Sequence, residues 1–207
     1  DDAPVAVAIS PAAFAEDTAS SITLSYTDAE GHLATACATA GLTNVTVTTA
    51  CSCTVAGVCT VGVTGSPLNY NGAASFTYTV TANALVSNSA TATLSITAVD
   101  DAPVAVAISP AAFAEDTASS ITLSYTDAEG DLATACSTAG LTNVTVTTAC
   151  ACNAAGVCTV GVTGTLNYNG AASFTYMVNA NTLVSNSATA SLTITAVDDA
   201  PVASNIT

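Results

Sequence analysis

The side chains of this sequence that could do chemistry are carboxylates, and they come in short clusters that recur along the chain. These are Asp1-Asp2, Glu16-Asp17, Asp28 with Glu30, Asp100-Asp101, Glu115-Asp116, Asp127 with Glu129 and Asp131, and Asp198-Asp199. Together they are all fifteen acidic residues, and with no lysine or arginine present the formal net charge is −15. Like charges about 4 Å apart repel by roughly 4 kcal/mol at an effective dielectric near 20. Grouped carboxylates with no covalent counter-charge therefore point to an external hard cation, and clustered oxygen ligands are what Ca2+ takes. The competing reading makes them solvated turn residues, with Asp capping local amides. Position 32 stands apart: the repeat places Asp131 in the second copy and His32, the sole histidine, in the first. A neutral imidazole is a poor partner for a hard ion, so the first cluster is expected to hold calcium more weakly; a pH switch is the other reading of His32.

The remaining reactive groups are eight cysteines, at 37, 51, 53 and 59 and again at 136, 150, 152 and 158. Even numbers in a chain without intracellular signatures favour disulfides. Three pairings are possible in each copy. Cys53 and Cys59 flank a plausible hairpin turn, which leaves Cys37 with Cys51 as the preferred partner, and Cys152–Cys158 with Cys136–Cys150 in the second copy. A zinc site is the rival, although Cys-x-Cys and the missing histidines fit finger spacings poorly.

No catalytic constellation emerges. A nucleophile needs a base beside it, and the second copy has neither His nor Lys. Carboxylate-pair hydrolysis needs two acids across a cleft, whereas these acids are clustered, so the chain reads as non-enzymatic. A net charge of −15 disfavours nucleic acid and anionic membranes as partners. No apolar run approaches the roughly 20 residues of a membrane-spanning helix, and without a leader the sequence reads as a mature or excised segment. Asn44-Val45-Thr46, Asn143-Val144-Thr145 and Asn205-Ile206-Thr207 match the glycosylation sequon.

The elements that must position these groups are strands. Residues 1–65 align without a gap on 100–164, and 68–99 on 166–197 after a one-residue contraction. This defines repeats at 1–99 and 100–197, with 198–207 as the start of a third repeat, a linker or a donor-type strand. Repeats of this length are large enough to hold their own core. Inside each, the apolar period is two: Ile22, Leu24 and Tyr26, then Phe76, Tyr78 and Val80, then Leu94 and Ile96, alternate with Ser and Thr. Glu30-Gly31, Ala56-Gly57 and Asn71-Gly72 punctuate the runs. About seven short strands per 100 residues predicts an all-β chain of two tandem immunoglobulin-like β-sandwich domains.

Four motifs in order carry a family resemblance: Val-Asp-Asp-Ala-Pro-Val-Ala at the boundaries, Phe-Ala-Glu-Asp-Thr, Tyr-Thr-Asp-Ala-Glu-Gly-Asp, and Leu-Asn-Tyr-Asn-Gly-Ala-Ala-Ser-Phe-Thr-Tyr. Together they resemble the cadherin-like tandem repeats of large bacterial surface adhesins. The resemblance implies an extracellular or cell-surface setting and calcium at or near domain junctions. It departs from the family at the boundary, where Asp replaces the usual Asn, and in carrying four cysteines per repeat.

In a seven-stranded sandwich the loop between the second and third strands returns to the end where the chain enters. Asp1, Asp2, Asp28 and Glu30 then share one end of repeat 1. The expected junction of two stacked repeats gathers Glu16, Asp17, Asp100, Asp101, Asp127, Glu129 and Asp131 around calcium. Glu115, Asp116, Asp198 and Asp199 are expected to form the matching half-site for the next copy, so that calcium drives head-to-tail polymerisation, with 198–207 adding to a neighbouring sheet. Strand edges without lysine also invite lateral association. The function that follows is a structural subunit of an extracellular fibre or adhesin stalk, whose partners are copies of itself. The alternative is an extracellular adhesin module that binds a glycan, ice or a receptor. With no Trp and 5% aromatics, sugar stacking is poorly served.

Overall fold

The computed structural model describes residues 1–201 and 203. The chain divides into two compact units, Asp1–Val99 and Asp100–Thr207. Among the described residues of the first unit the strands are β1 (Val5–Val7), β2 (Phe14–Ala15), β3 (Ser20–Thr23), β4 (Ser25–Thr27), β5 (Ala34–Thr43), β6 (Val45–Cys53), β7 (Cys59–Gly65), β8 (Gly72–Ala82), β9 (Leu85–Val86) and β10 (Ala90–Thr97). The second unit repeats them in order, from β11 (Val104–Val106) to β20 (Ala188–Thr195). Asp198 to Pro201 lies outside any strand, and Val202 and residues 204–207, half of the expected donor segment, fall outside the described residues.

One sheet runs β2-β10-β8-β5 with β9 hooked onto β8; the other runs β3-β7-β6, and β1 pairs with β4. The count exceeds seven because single strands are interrupted. The first strand pairs with β4 through Val5↔Thr27, then crosses to the other sheet, where β2 lies parallel to β10 through Phe14↔Ile96. Leu24 divides β3 from β4. β9 and β10 pair in succession with β8 and count as one strand, so merging these three pairs of pieces gives a seven-stranded immunoglobulin-like sandwich, with the last strand beside the first.

The period of two decides the core. Ile22, Leu24, Phe76, Tyr78, Val80, Leu94 and Ile96 are buried with Val61 and Val63 between the sheets, whereas Tyr26 is half-buried. Each such side chain contributes about 1.5–3 kcal/mol on burial. The intervening Thr93 and Ser95 face outward, which is where Ser191 and Thr193 replace them in the second copy. Gly62 lets β6 approach β7 closely, since a Cβ there would lie 2.7 Å from the Thr49 Cβ.

Polar groups lock the wandering first strand. Asn88 takes the Ala6 N–H on Oδ1 at 2.9 Å and donates Nδ2 to the Ala6 carbonyl at 3.1 Å, imitating a strand partner. The Tyr78 hydroxyl lies between the carbonyls of Val7 and Ser25 and accepts the Ser25 N–H at 3.2 Å. Burial pushes its pKa up, and the backbone hydrogen bond at Ser25 offsets this in part.

The disulfides are Cys37–Cys51 and Cys53–Cys59, repeated as Cys136–Cys150 and Cys152–Cys158, and no described cysteine is free. Cys53 and Cys59 face each other across the β6–β7 hairpin. Cys37–Cys51 instead ties β5 of one sheet to β6 of the other, with Cα atoms 5.7 Å apart. The edge strand β6 is thus stapled to both sheets.

Candidate metal centre

Between β4 and β5 the chain turns through Asp28-Ala29-Glu30-Gly31-His32, and Asp28 organises the turn. Its Oδ1 accepts the N–H of Glu30 at 3.1 Å and of His32 at 2.9 Å, and its carbonyl accepts the Gly31 N–H at 3.3 Å. Gly31 sits at φ +76°, in the left-handed region that a side chain disfavours. These bonds use one carboxylate oxygen. The side chain is only 2% exposed, and Oδ2 is buried without a hydrogen-bond partner.

The turn is tied to the start of the chain. Asp2 donates its N–H to Glu30 Oε2 at 3.3 Å, and Asn83 donates Nδ2 to the Asp1 carboxylate. His32 Nδ1 stands 3.1 Å from Asp1 Oδ1 and 3.5 Å from Asp28 Oδ1. Asp1, Glu30 and His32 offer ligand atoms that lie within 4.8 Å of one another.

The second unit builds the same loop with Asp in place of His. Asp127 Oδ1 accepts the N–H of Glu129 at 3.1 Å and of Asp131 at 2.8 Å, and its buried Oδ2 has no hydrogen-bond partner. Asp101 donates its N–H to Glu129 Oε2 at 3.1 Å, and Asn181 donates Nδ2 to Asp100 Oδ2 at 2.8 Å. A hydrogen bond with Asp100 raises the pKa of Asp131, followed by desolvation and by the charges of Asp100 and Asp127; Asn181 works the other way. Beside this loop an open hollow of about 390 Å³ is lined by Tyr125, Asp127, Asp131, Leu132, Gly156 and Val157, among others.

Glu16 and Glu115 lie at the other end of their sheets, where each accepts one strand-end amide. Glu16 Oε1 takes the Val99 N–H and Glu115 Oε1 the Val197 N–H, both at 2.8 Å. Both side chains are buried, and Oε2 of each has no hydrogen-bond partner. Asp17, Asp116, Asp198 and Asp199 are exposed.

The structure therefore brings together Asp1, Asp2, Asp28 and Glu30 in one unit, and Asp100, Asp101, Asp127, Glu129 and Asp131 in the other. Asn83 and Asn181 complete these groups, and acid patterning alone did not reveal them. Their signal was available: each is an Asn at a β8–β9-type turn, with φ of 44° and 41°, where Asn tolerates a left-handed backbone.

The residues fit a hard divalent cation. Turn capping explains one oxygen of Asp28 and of Asp127 but leaves the second buried and undonated, at a cost of roughly 1–3 kcal/mol or more for a charged acceptor. Ca2+ bonds such oxygens directly. The chain has no lysine or arginine that could do so.

Two of the sequons are already occupied by structure. Asn44 donates Nδ2 to the Tyr70 hydroxyl at 2.7 Å and the Ala73 carbonyl at 3.0 Å, and Asn143 donates to the Ala171 carbonyl at 3.1 Å. These amides hold the β5–β6 corner and its repeat. The triplet at Asn205 lies outside the described residues.

Both units have the all-β, immunoglobulin-like sandwich fold. Residues 100–195 match the family model of the bacterial Ig domain, and residues 1–99 repeat that segment. No curated protein sequence matches the chain significantly. Among solved structures, extracellular cadherin domains 1–4 of protocadherin gamma B7 are similar at 11% identity and TM-score 0.45, over 93% of this chain and 51% of that one. Yersinia pseudotuberculosis InvD is similar at 16% identity and TM-score 0.34, over 97% and 60%. An endo-fucoidan hydrolase of glycoside hydrolase family 107 is similar at 18% identity and TM-score 0.36, over 94% of this chain but 29% of the enzyme. The chain thus spans under a third of that hydrolase. The Ig-like domain family is generally non-enzymatic. Among the described residues no helix is long and apolar enough to cross a membrane.

Proposed function

We propose that the chain is a non-enzymatic stretch of an extracellular stalk or fibre, in which immunoglobulin-like repeats run head to tail and calcium stiffens them. The supporting observation is the acidic loop built twice around a capping aspartate, Asp28 or Asp127, that keeps a buried oxygen without a donor. In the second repeat Asp100, Asp127, Glu129 and Asp131 would hold the ion, and its charge would offset their mutual repulsion. In the first repeat His32 replaces one carboxylate, so calcium binds more weakly there. A bacterial surface or extracellular location accords with the disulfides and with the family of residues 100–195. The partners are further copies of the same repeat.

Calcium binding measured by equilibrium dialysis, together with small-angle scattering in calcium and in EDTA, tests this reading. The expected result is bound calcium and a narrower distribution of dimensions when the ion is present. No bound calcium together with superimposable scattering profiles would overturn it.

A further inference from the structure

The acidic loop of the first repeat differs from its copy in one ligand, and that ligand changes the class of ion it suits. His32 Nδ1 points into the carboxylates, 3.1 Å from Asp1 Oδ1 and 3.5 Å from Asp28 Oδ1. Two ligands each about 2.0–2.2 Å from a tetrahedral zinc ion stand roughly 3.3–3.5 Å apart. The observed separations lie close to that edge length, so little rearrangement is needed to place one ion between them. Glu30 adds a third group, since its carboxylate, that of Asp1 and the imidazole lie within 4.8 Å of one another. Independently, the Asp28 side chain is 2% exposed, with Oδ1 3.5 Å from the imidazole Nδ1 and Oδ2 buried and unpartnered. Asn83 donates Nδ2 to the other Asp1 oxygen, Oδ2.

The geometry points to a mixed nitrogen–oxygen site for a borderline divalent transition ion, Zn2+ in the first place, formed by Asp1, Asp28, Glu30 and His32. Imidazole suits zinc, copper, iron and nickel, whereas carboxylates alone suit calcium, magnesium and manganese. The second repeat, with Asp131 where the first has His32, keeps the all-oxygen set. Two copies of one loop thus discriminate between metals through a single substitution. Only first-repeat ligands carry this assignment, so it stands whether or not the second repeat binds calcium.

The test uses the whole chain and Zn2+ alone as the probe. His32 is the only histidine, so one set of imidazole NMR signals reports directly on this site. In millimolar calcium, one equivalent of Zn2+ is expected to shift those signals and to bind calorimetrically at unit stoichiometry. His32→Asp installs the residue that the second repeat already tolerates, and should weaken zinc binding by roughly tenfold or more, about 1.4 kcal/mol. Asp131→His should create a second zinc equivalent. Imidazole signals that follow pH but ignore zinc would make the cluster a protonated His–carboxylate ion pair and overturn the assignment. Zinc affinity unchanged in His32→Asp would overturn it equally.

Discussion

Replacing Asp28 and Asp127 together by Asn separates turn capping from metal binding, because the two roles fall on different oxygens. The amide oxygen of Asn can still accept the two loop N–H groups that Oδ1 accepts at 2.8–3.1 Å. The negative charge and the free acceptor at Oδ2 are lost. In EDTA the variant should therefore melt at or above the wild-type temperature, since Asp127 also bears on Asp131 as a like charge. In calcium the order should reverse. An ion at 100 times its dissociation constant stabilises the folded state by about 2.7 kcal/mol. At about 4–8 °C per kcal/mol for a domain of this size, that is a rise of roughly 10–20 °C for the wild type and little for the variant. Mutating both repeats makes them report alike. Calorimetry of the full chain in calcium and in EDTA reads both arms. A variant that keeps the full calcium-induced rise, or a wild type without one, would refute the reasoning, and a variant already destabilised in EDTA would show that capping needs the charge.

Three further outcomes are expected. Tyr176→Phe leaves the carbonyls of Val106 and Ser124 without their hydroxyl partner and should cost roughly 1–3 kcal/mol in denaturant unfolding; a neutral result would place that energy elsewhere in the strand-locking network. Thiol titration of the denatured, unreduced chain should find no free cysteine, and reduction should cost about 2–4 kcal/mol per bridge; stoichiometric thiols would contradict the pairing. Because the folded pKa of Asp131 is raised, the native state holds that proton more tightly than the unfolded chain does, so its contribution is complete below the unfolded value and is lost as pH rises through the folded one. Melting of the EDTA-treated chain from about pH 3 upward should show this loss, and Asp131→Asn should remove it; an identical profile in the variant would assign the pH dependence to other carboxylates.

The sequence by itself determined the repeat, the strand period, the core and the identity of the reactive groups. Ile22, Leu24, Phe76, Val80 and Ile96 could be assigned inward because alternation is a local property of a pleated strand, and a one-residue slip would expose the whole set. The Cys53–Cys59 pair was legible for the same reason, as its partners are neighbours across one turn. Tertiary structure decided what depends on distant segments meeting. Only the fold brings Asn83 to Asp1 and Asn181 to Asp100, links more than 80 residues apart in sequence. Only the fold shows that Asp28 uses one oxygen on its own turn and buries the other, because burial is set by what packs over a loop and not by the loop's composition. The same holds for His32. Its sequence position marks it as an exception among the acids, but its chemistry comes from two carboxylates placed 3.1 and 3.5 Å away, one from the start of the chain and one from the turn itself.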